Sequence, residues 1–369
     1  MMRSLTAMFV LMLVISFCHF TQAQEVEKKK EEVSVISECV WSADGSVSAE
    51  KRFTYSSKDI ADLMKPFSYD ELYSLFFVDQ QGEKTKLFTG DAEIAFMGSL
   101  LVTCRRTKSL EKEGGKLELW DGTKLVASNT LGFTPISLKV SDDSIWIRSF
   151  NGEFFSFGKD LKVGKTIKIP STVTTFAVSP DGKYIAASYP VRGRKRILDG
   201  YIWPRKYKVQ VWNISGDEPN KTLSFEHNNT HALEFSRDGK LLAIGGLDYV
   251  LVYRTKGGTL LKKYWTGCGD QDIISGVRFS PDNTKLLIGV QAYMDEVTIP
   301  FGREPYFVGG WVSVYSLKEG KTISLLYFAP RSAIRGLHFG ALVKVASSQR
   351  TATISGHKYR TVTPEEEIK

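Results

Sequence analysis

The chain has 369 residues, 42% of them hydrophobic and 24% charged, with 31 glycines, 12 prolines and a formal net charge of +8. That composition excludes a largely disordered chain, and four cysteines are too few for a disulfide scaffold. The positive excess is spread along the chain, so charge alone is no argument for nucleic acid. Residues 1–23 read as a signal peptide. Arg3 opens an apolar run, Ala7 to Phe17, too short to span a bilayer comfortably, and Thr21-Gln-Ala23 offers the small residues a signal peptidase reads. This predicts export to the periplasm or the extracellular space. The alternatives are an uncleaved anchor and lipidation at Cys18, against which the bulk of Phe17 speaks. Beyond the signal, Cys39, Cys104 and Cys268 allow at most one disulfide. Residues 24–32 and 364–369 read as a charged spacer and a charged tail.

From residue 33 onward one unit recurs. Phe176–Ser188, Leu233–Gly245 and Val277–Gly289 each read as a strand, a turn of the Ser-Pro-Asp-Gly type and a second, wholly apolar strand. A third strand follows, ending in an aromatic at Trp212, Tyr253 or Tyr315, and then a more polar fourth, as at Lys221–Phe225 and Thr259–Tyr264. Weaker copies lie at 136–157 and at 93–120, and Cys39–Gly45 opens another that Leu75–Val78 and Lys84–Phe88 complete. A last one runs through Ile334–Phe339, 342–347 and 351–355. A four-stranded unit of about forty residues cannot bury both faces alone, so copies stack. The predicted fold is all-β: a seven-bladed β-propeller of four-stranded antiparallel blades over 33–363, with six or eight blades as alternatives. Either 358–363 or an N-terminal clasp by Val33–Ser37 closes the last blade, and the clasp is preferred.

The Ser-Pro-Asp-Gly-Lys turn and the aromatic end of the third strand resemble the WD-repeat β-propeller family, in a divergent, bacterial-type form. The Trp-Asp dipeptide appears only at Trp120-Asp121 and the Gly-His dipeptide only at Gly356-His357. The resemblance therefore implies a propeller whose usual side-chain network is missing from most blades.

Two segments between second and third strands are longer than the repeat needs, and both are predicted as loops rising from one face. The first, 190–206, carries Arg192, Arg194, Lys195, Arg196 and Arg205 interleaved with Tyr201 and Trp203. Arginine forks suit carboxylate, sulfate or phosphate, and aromatics stack on planar groups. The second, 291–310, carries Tyr293, Arg303, Tyr306 and Phe307, a mixture suited to a protein-interaction lip. These residues are the candidate partner-binding set, for a protein or an anionic polymer, on a monomeric scaffold without nucleic acid. Gly267–Asp272 is predicted on the same face as a plain turn.

Nothing local points to catalysis, a cofactor or a metal. His227 and His231 have zinc-pair spacing, but on a connection between strands. No nucleophile elbow, phosphate-cradling loop or dinucleotide fingerprint appears. A binding or scaffold module is therefore preferred. The alternative is a propeller enzyme, a lactonase-like hydrolase or an oxidoreductase, whose site at the central channel draws residues from several blades and leaves no motif. Three glycosylation sequons, at Asn213, Asn220 and Asn228, are no more than chance supplies.

Overall fold

A computed structural model describes residues 32–56, 73–106, 114–169, 172–191, 195–198, 201–204, 207–216, 220–227, 230–247, 249–265, 273–299, 302–328, 334–339, 343–347 and 351–354. The first sheet is β1 (Glu32–Trp41), β2 (Ser48–Ser56), β3 (Tyr73–Val78) and β4 (Lys84–Thr89). The second is β5 (Ala92–Met97), β6 (Leu100–Arg106), β7 (Gly115–Asp121) and β8 (Lys124–Leu131), and the third is β9 (Pro135–Val140), β10 (Ile145–Ser149), β11 (Glu153–Phe157) and β12 (Val163–Lys168). The fourth sheet begins with β13 (Thr175–Val178) and β14 (Tyr184–Pro190). A separate two-stranded ribbon, β15 (Lys195–Leu198) and β16 (Tyr201–Pro204), interrupts it before β17 (Tyr207–Asn213) and β18 (Asn220–His227). The fifth is β19 (Ala232–Phe235), β20 (Leu241–Gly245), β21 (Tyr249–Arg254) and β22 (Leu260–Trp265). The sixth is β23 (Ile273–Phe279), β24 (Lys285–Ile299), β25 (Gly302–Ser316) and β26 (Lys321–Phe328). Last come three strands, β27 (Ile334–Phe339), β28 (Val343–Ser347) and β29 (Thr351–Ile354).

The fold is thus all-β, with six four-stranded antiparallel sheets where seven were expected, and a final sheet with three described strands. Each first strand packs against the first strand of the next sheet, and β27 packs against both β23 and β1. The preferred N-terminal clasp is corrected. Val33–Ile36 pairs with Arg52–Tyr55 of β2, so this segment extends the first sheet and adds no strand to the last. Residues 358–363 lie outside the described residues.

The recurrent turn has a shared physical cause. Ser42, Ser179, Ser236 and Ser280 donate through Oγ to the carboxylates of Asp44, Asp181, Asp238 and Asp282 at 2.6, 2.7, 2.7 and 2.5 Å. The same hydroxyls accept the N–H of Val47, Tyr184, Leu241 and Lys285, which opens or leads into each second strand. The residue after each aspartate has positive φ. It is Gly45, Gly182 and Gly239 in three turns and Asn283, at φ 57°, in the fourth, the non-glycine residue best suited to that conformation. Neighbouring turns are tied together as well: Asp142 N–H donates to Pro180 O at 3.0 Å, and Arg237 N–H donates to Asn283 Oδ1 at 2.9 Å.

The apolar second strands divide their side chains between two seams. Ile145 and Ile147 pack with Leu117, Leu119 and Leu138 of the second and third sheets, while Trp146 turns to Phe154, Phe176 and Ile185. Each such buried side chain stabilises the stack by roughly 1.5–3 kcal/mol. The aromatic at the end of the third strand has its own backbone device. The register between third and fourth strands shifts directly before Trp120, Trp212, Tyr253 and Tyr315. A bulge there re-aims the ring. At the Trp-Asp dipeptide, Trp120 Nε1 donates to Thr103 Oγ1 at 3.2 Å. Gly245 ends its apolar run for a different reason: a Cβ there would lie 2.6 Å from Cγ2 of Ile274 on the next sheet.

Candidate functional site

Both long insertions prove to be strand ribbons where loops were expected. In the first, Arg196 pairs with Trp203, Leu198 with Tyr201 and Lys195 with Pro204. Arg192, Arg194 and Arg205 lie outside the described residues. In the second, β24 and β25 continue past their sheet, with Tyr293 paired to Phe307, Met294 to Tyr306 and Thr298 to Arg303. β23 accompanies β24 only as far as Gln291, and β26 joins β25 only from Gly310. Among the described residues, the outer part of this ribbon therefore has two unpaired edges. Both ribbons join second to third strands, so they leave the same face, with the fifth sheet between them.

That intervening sheet carries a feature the sequence reasoning missed. Trp265, the last residue of β22, is 54% exposed. It pairs with Tyr249, the first residue of β21, and the two rings stack at 6.3 Å with an 18° tilt. Lys263 Nζ sits 4.3 Å from the Tyr249 ring and 5.8 Å from that of Trp265. Tyr315 of the sixth sheet fixes the corner, donating to Trp265 O at 2.8 Å. Both aromatics stand at the ribbon-bearing end of their strands. The signal was a tryptophan closing a polar fourth strand, where nothing requires an apolar side chain. Gly267–Asp272, expected nearby, lies outside the described residues.

The axis of the ring is charged. Glu38 on β1 and Glu93 on β5 occupy corresponding positions on neighbouring first strands. Lys51 of β2 reaches between the sheets, with Nζ 3.0 Å from Glu38, 3.1 Å from Asp91 and 3.0 Å from Ala92 O. Burial alone would lower the Lys51 ammonium, but the Glu38 and Asp91 carboxylates outweigh it and hold it above its ordinary value. On Glu93, burial and then Glu38 push the carboxyl up, while Lys51 and Lys139 pull it down. Across the ring, Glu234 of β19 pairs with Arg278 of β23 at 2.9 Å. Burial raises Glu234, with Arg278 and then Lys139 opposing. Lys139 of β9 therefore feels carboxylates from both the second and the fifth sheets, as a side chain on the axis must.

Cations also latch successive sheets. Arg106 Nε donates to Pro135 O at 3.1 Å, and Arg148 Nη1 donates to Val173 O, as Lys51 does to Ala92 O. At the joint between the fourth and fifth sheets, Ser188 of β14 and Thr230 and His231 just before β19 carry buried polar atoms with no hydrogen-bond partner among the described residues. Cys39 and Cys104 are buried free thiols, pushed well up by burial, and Cys268 lies outside the described residues. Among the described residues no group of His, Cys, Asp and Glu is placed to hold a metal, and no helix is long and apolar enough to cross a membrane.

No family model and no curated protein matches the sequence. Solved structures do. The chain superposes on KlAtg21 from a complex with the coiled coil of AgAtg16, with a TM-score of 0.60 and 12% identity over 88% of this chain and 96% of that one. It also superposes on the hydrazine synthase of Kuenenia stuttgartiensis, with a TM-score of 0.56 and 14% identity over 92% and 99%. At such identities these likenesses show the β-propeller fold alone.

Proposed function

We propose that this chain is an exported, seven-bladed propeller of the WD-repeat type that docks a protein partner on its ribbon-bearing face. The three-stranded sheet is taken as the seventh blade because β27 packs against β1. The observation that supports the docking reading is the β24–β25 ribbon, whose outer edges, among the described residues, have backbone N–H and C=O groups without a strand partner, open to an incoming strand. Around it the chemistry favours an acidic segment. The first ribbon is basic by sequence, and Lys263 stands over the half-buried Tyr249 ring, beside the exposed Trp265. A neighbour of the same fold, KlAtg21, was solved with a coiled coil, which is a propeller–protein contact of this general kind. Export rests on the leader-like residues 1–23.

The test is site-specific crosslinking in the native secretome or envelope. A photoreactive residue at Thr298 on the ribbon is expected to give one discrete adduct, and the same residue at Val126 on the outer strand β8 none. Equal labelling from both positions, or none from either, would remove the reading.

A further inference from the structure

Independently of strand addition at the second ribbon, we propose that the rim cleft between the fourth and fifth sheets binds a uronate residue of an acidic saccharide.

The cleft is a seam that closes at one end only. Its floor is Leu251 of β21, buried with Val209 and Val211 of β17. Towards the turn after β21 the two sheets meet tightly. The Phe225 and Tyr253 rings lie 4.0 Å apart, and a Cβ on Gly258 would come within 2.9 Å of Leu223 Cδ2. Tyr249 and Trp265 hold the ribbon end of the same face, where Leu251 and Lys263 are the next pair along. Among the described residues no ring of the fourth sheet covers that end, and Trp265 is left exposed.

Nothing in the packing asks for a tryptophan there. Its neighbour Tyr264 turns to the sixth sheet and is buried, with its ring 4.7 Å from that of Tyr315. The pair at the same strand ends is Gly115 with Leu131 in the second sheet and Glu153 with Lys168 in the third. The Trp265 ring is nevertheless held in place, stacked 6.3 Å from Tyr249, with its backbone carbonyl accepting from Tyr315. Its Nε1–H has no hydrogen-bond partner among the described residues.

These groups define the ligand. An exposed indole face takes a flat ring edged with C–H bonds, whose partial positive charge meets the negative π-face. The indole N–H asks for an acceptor, such as a sugar hydroxyl. Lys263 Nζ lies 5.8 Å from the Trp265 ring centre and forms no ion pair among the described residues, so it asks for an anion close to that ring. A uronate meets all three, because its carboxylate stands one bond from the pyranose ring. An acidic peptide meets only the last, since its carboxylates stand on flexible chains with no ring beside them. The basic first ribbon, which joins β14 to β17 at this end of the fourth sheet, adds charge of the same sign.

The experiment titrates the full chain by calorimetry with tetramers of galacturonate, guluronate and mannuronate. Methyl-esterified tetragalacturonate keeps the ring and loses the charge, and tetraglutamate keeps the charge without the ring. At matched ionic strength one uronate tetramer is expected to bind saturably, about tenfold or more above both controls. Trp265→Ala and Lys263→Met should each weaken it by about tenfold. Lys262→Met, on the opposite face of β22, should leave it unchanged. The proposal is overturned if no uronate tetramer exceeds both controls, or if folded Trp265→Ala and Lys263→Met bind as wild type does. Should Trp265→Ala fail to fold, Lys263→Met decides alone. Tetraglutamate as the tightest ligand would also overturn it and give this corner to the acidic segment of the docking reading. Because the titration contains no partner protein, its failure leaves the Thr298 crosslink to stand or fall by itself.

Discussion

Ser188 in β14 holds the register position that Arg148 holds in β10. Ser188 stands opposite Thr175, four residues before the turn serine Ser179, and Arg148 stands opposite Ser137, four before Ser141. The same place in β2 belongs to Lys51, opposite Glu38, four before Ser42. Two of these three side chains reach across to a carbonyl in or just before the next sheet, and the third is a buried hydroxyl with no partner among the described residues.

Opposite outcomes are therefore expected at one position in two sheets. Ser188→Ala removes a buried, unsatisfied hydroxyl and should leave stability unchanged or raise it by up to about 1 kcal/mol. Lys51→Met removes the cation shared by the partly exposed Glu38 and Asp91 and its hydrogen bond to Ala92 O, and should cost about 1–3 kcal/mol. Chemical denaturation of both variants at neutral pH checks the contrast. A large loss in Ser188→Ala would mean that the hydroxyl is satisfied after all.

Gly245→Ala should destabilise by about 1–3 kcal/mol, because the added carbon meets Ile274 of the next sheet and no flexible polar tip can yield. The double variant Gly245→Ala with Ile274→Val gives the check. If crowding is the cause, it recovers part of the loss.

The turn aspartates set a pH dependence. Its Ser42 hydrogen bond holds Asp44 down at about 2, and the Ser280 hydrogen bond holds Asp282 at the same value. Because the folded state binds the proton less readily than the unfolded chain, these carboxylates contribute fully above roughly pH 4. The contribution fades as pH falls towards 2. Asp44→Asn combined with Asp282→Asn should flatten the melting temperature across that window while changing it little in shape above pH 5. An unchanged acid limb would place the sensitivity elsewhere.

Excising residues 292–309 and joining Gln291 to Gly310 through Asn-Gly should leave the circular dichroism spectrum and the cooperative melt intact, since β23 and β26 both stop at that boundary. The same deletion should abolish the Thr298-type adduct when the photoreactive residue is moved to the new turn. A molten or aggregated product would make the ribbon part of the fold.

The repeat was legible because its turn is local chemistry. A serine, an aspartate and a residue tolerant of positive φ specify one hydrogen-bond pattern within six positions, and the aromatic marks the bulge that ends the third strand. The ribbons were visible only as excess length. Pro190, Gly193, Gly200 and Pro204 punctuate the first, and the charges of the second mask its alternation, so strand pairing did not show. The axial charges were the least legible. Glu38, Glu93, Lys139 and Glu234 sit 55, 46 and 95 residues apart along the chain, and only ring closure brings them into one another's field. Trp265 was passed over because a lone aromatic at a strand end looks like core until its neighbours are known.

The uneven latching has a mechanical meaning. At the register position where Lys51 and Arg148 cross to the next sheet, β14 carries Ser188, β20 Gly245 and β24 Gly289, so the joints after the fourth and fifth sheets are held by apolar packing in place of a cationic latch. The first ribbon springs from β14 just beyond Ser188, and the Tyr249–Trp265 pair stands on the far side of the first of these joints. A partner of the kind proposed above that gripped both would span a joint held by side-chain packing.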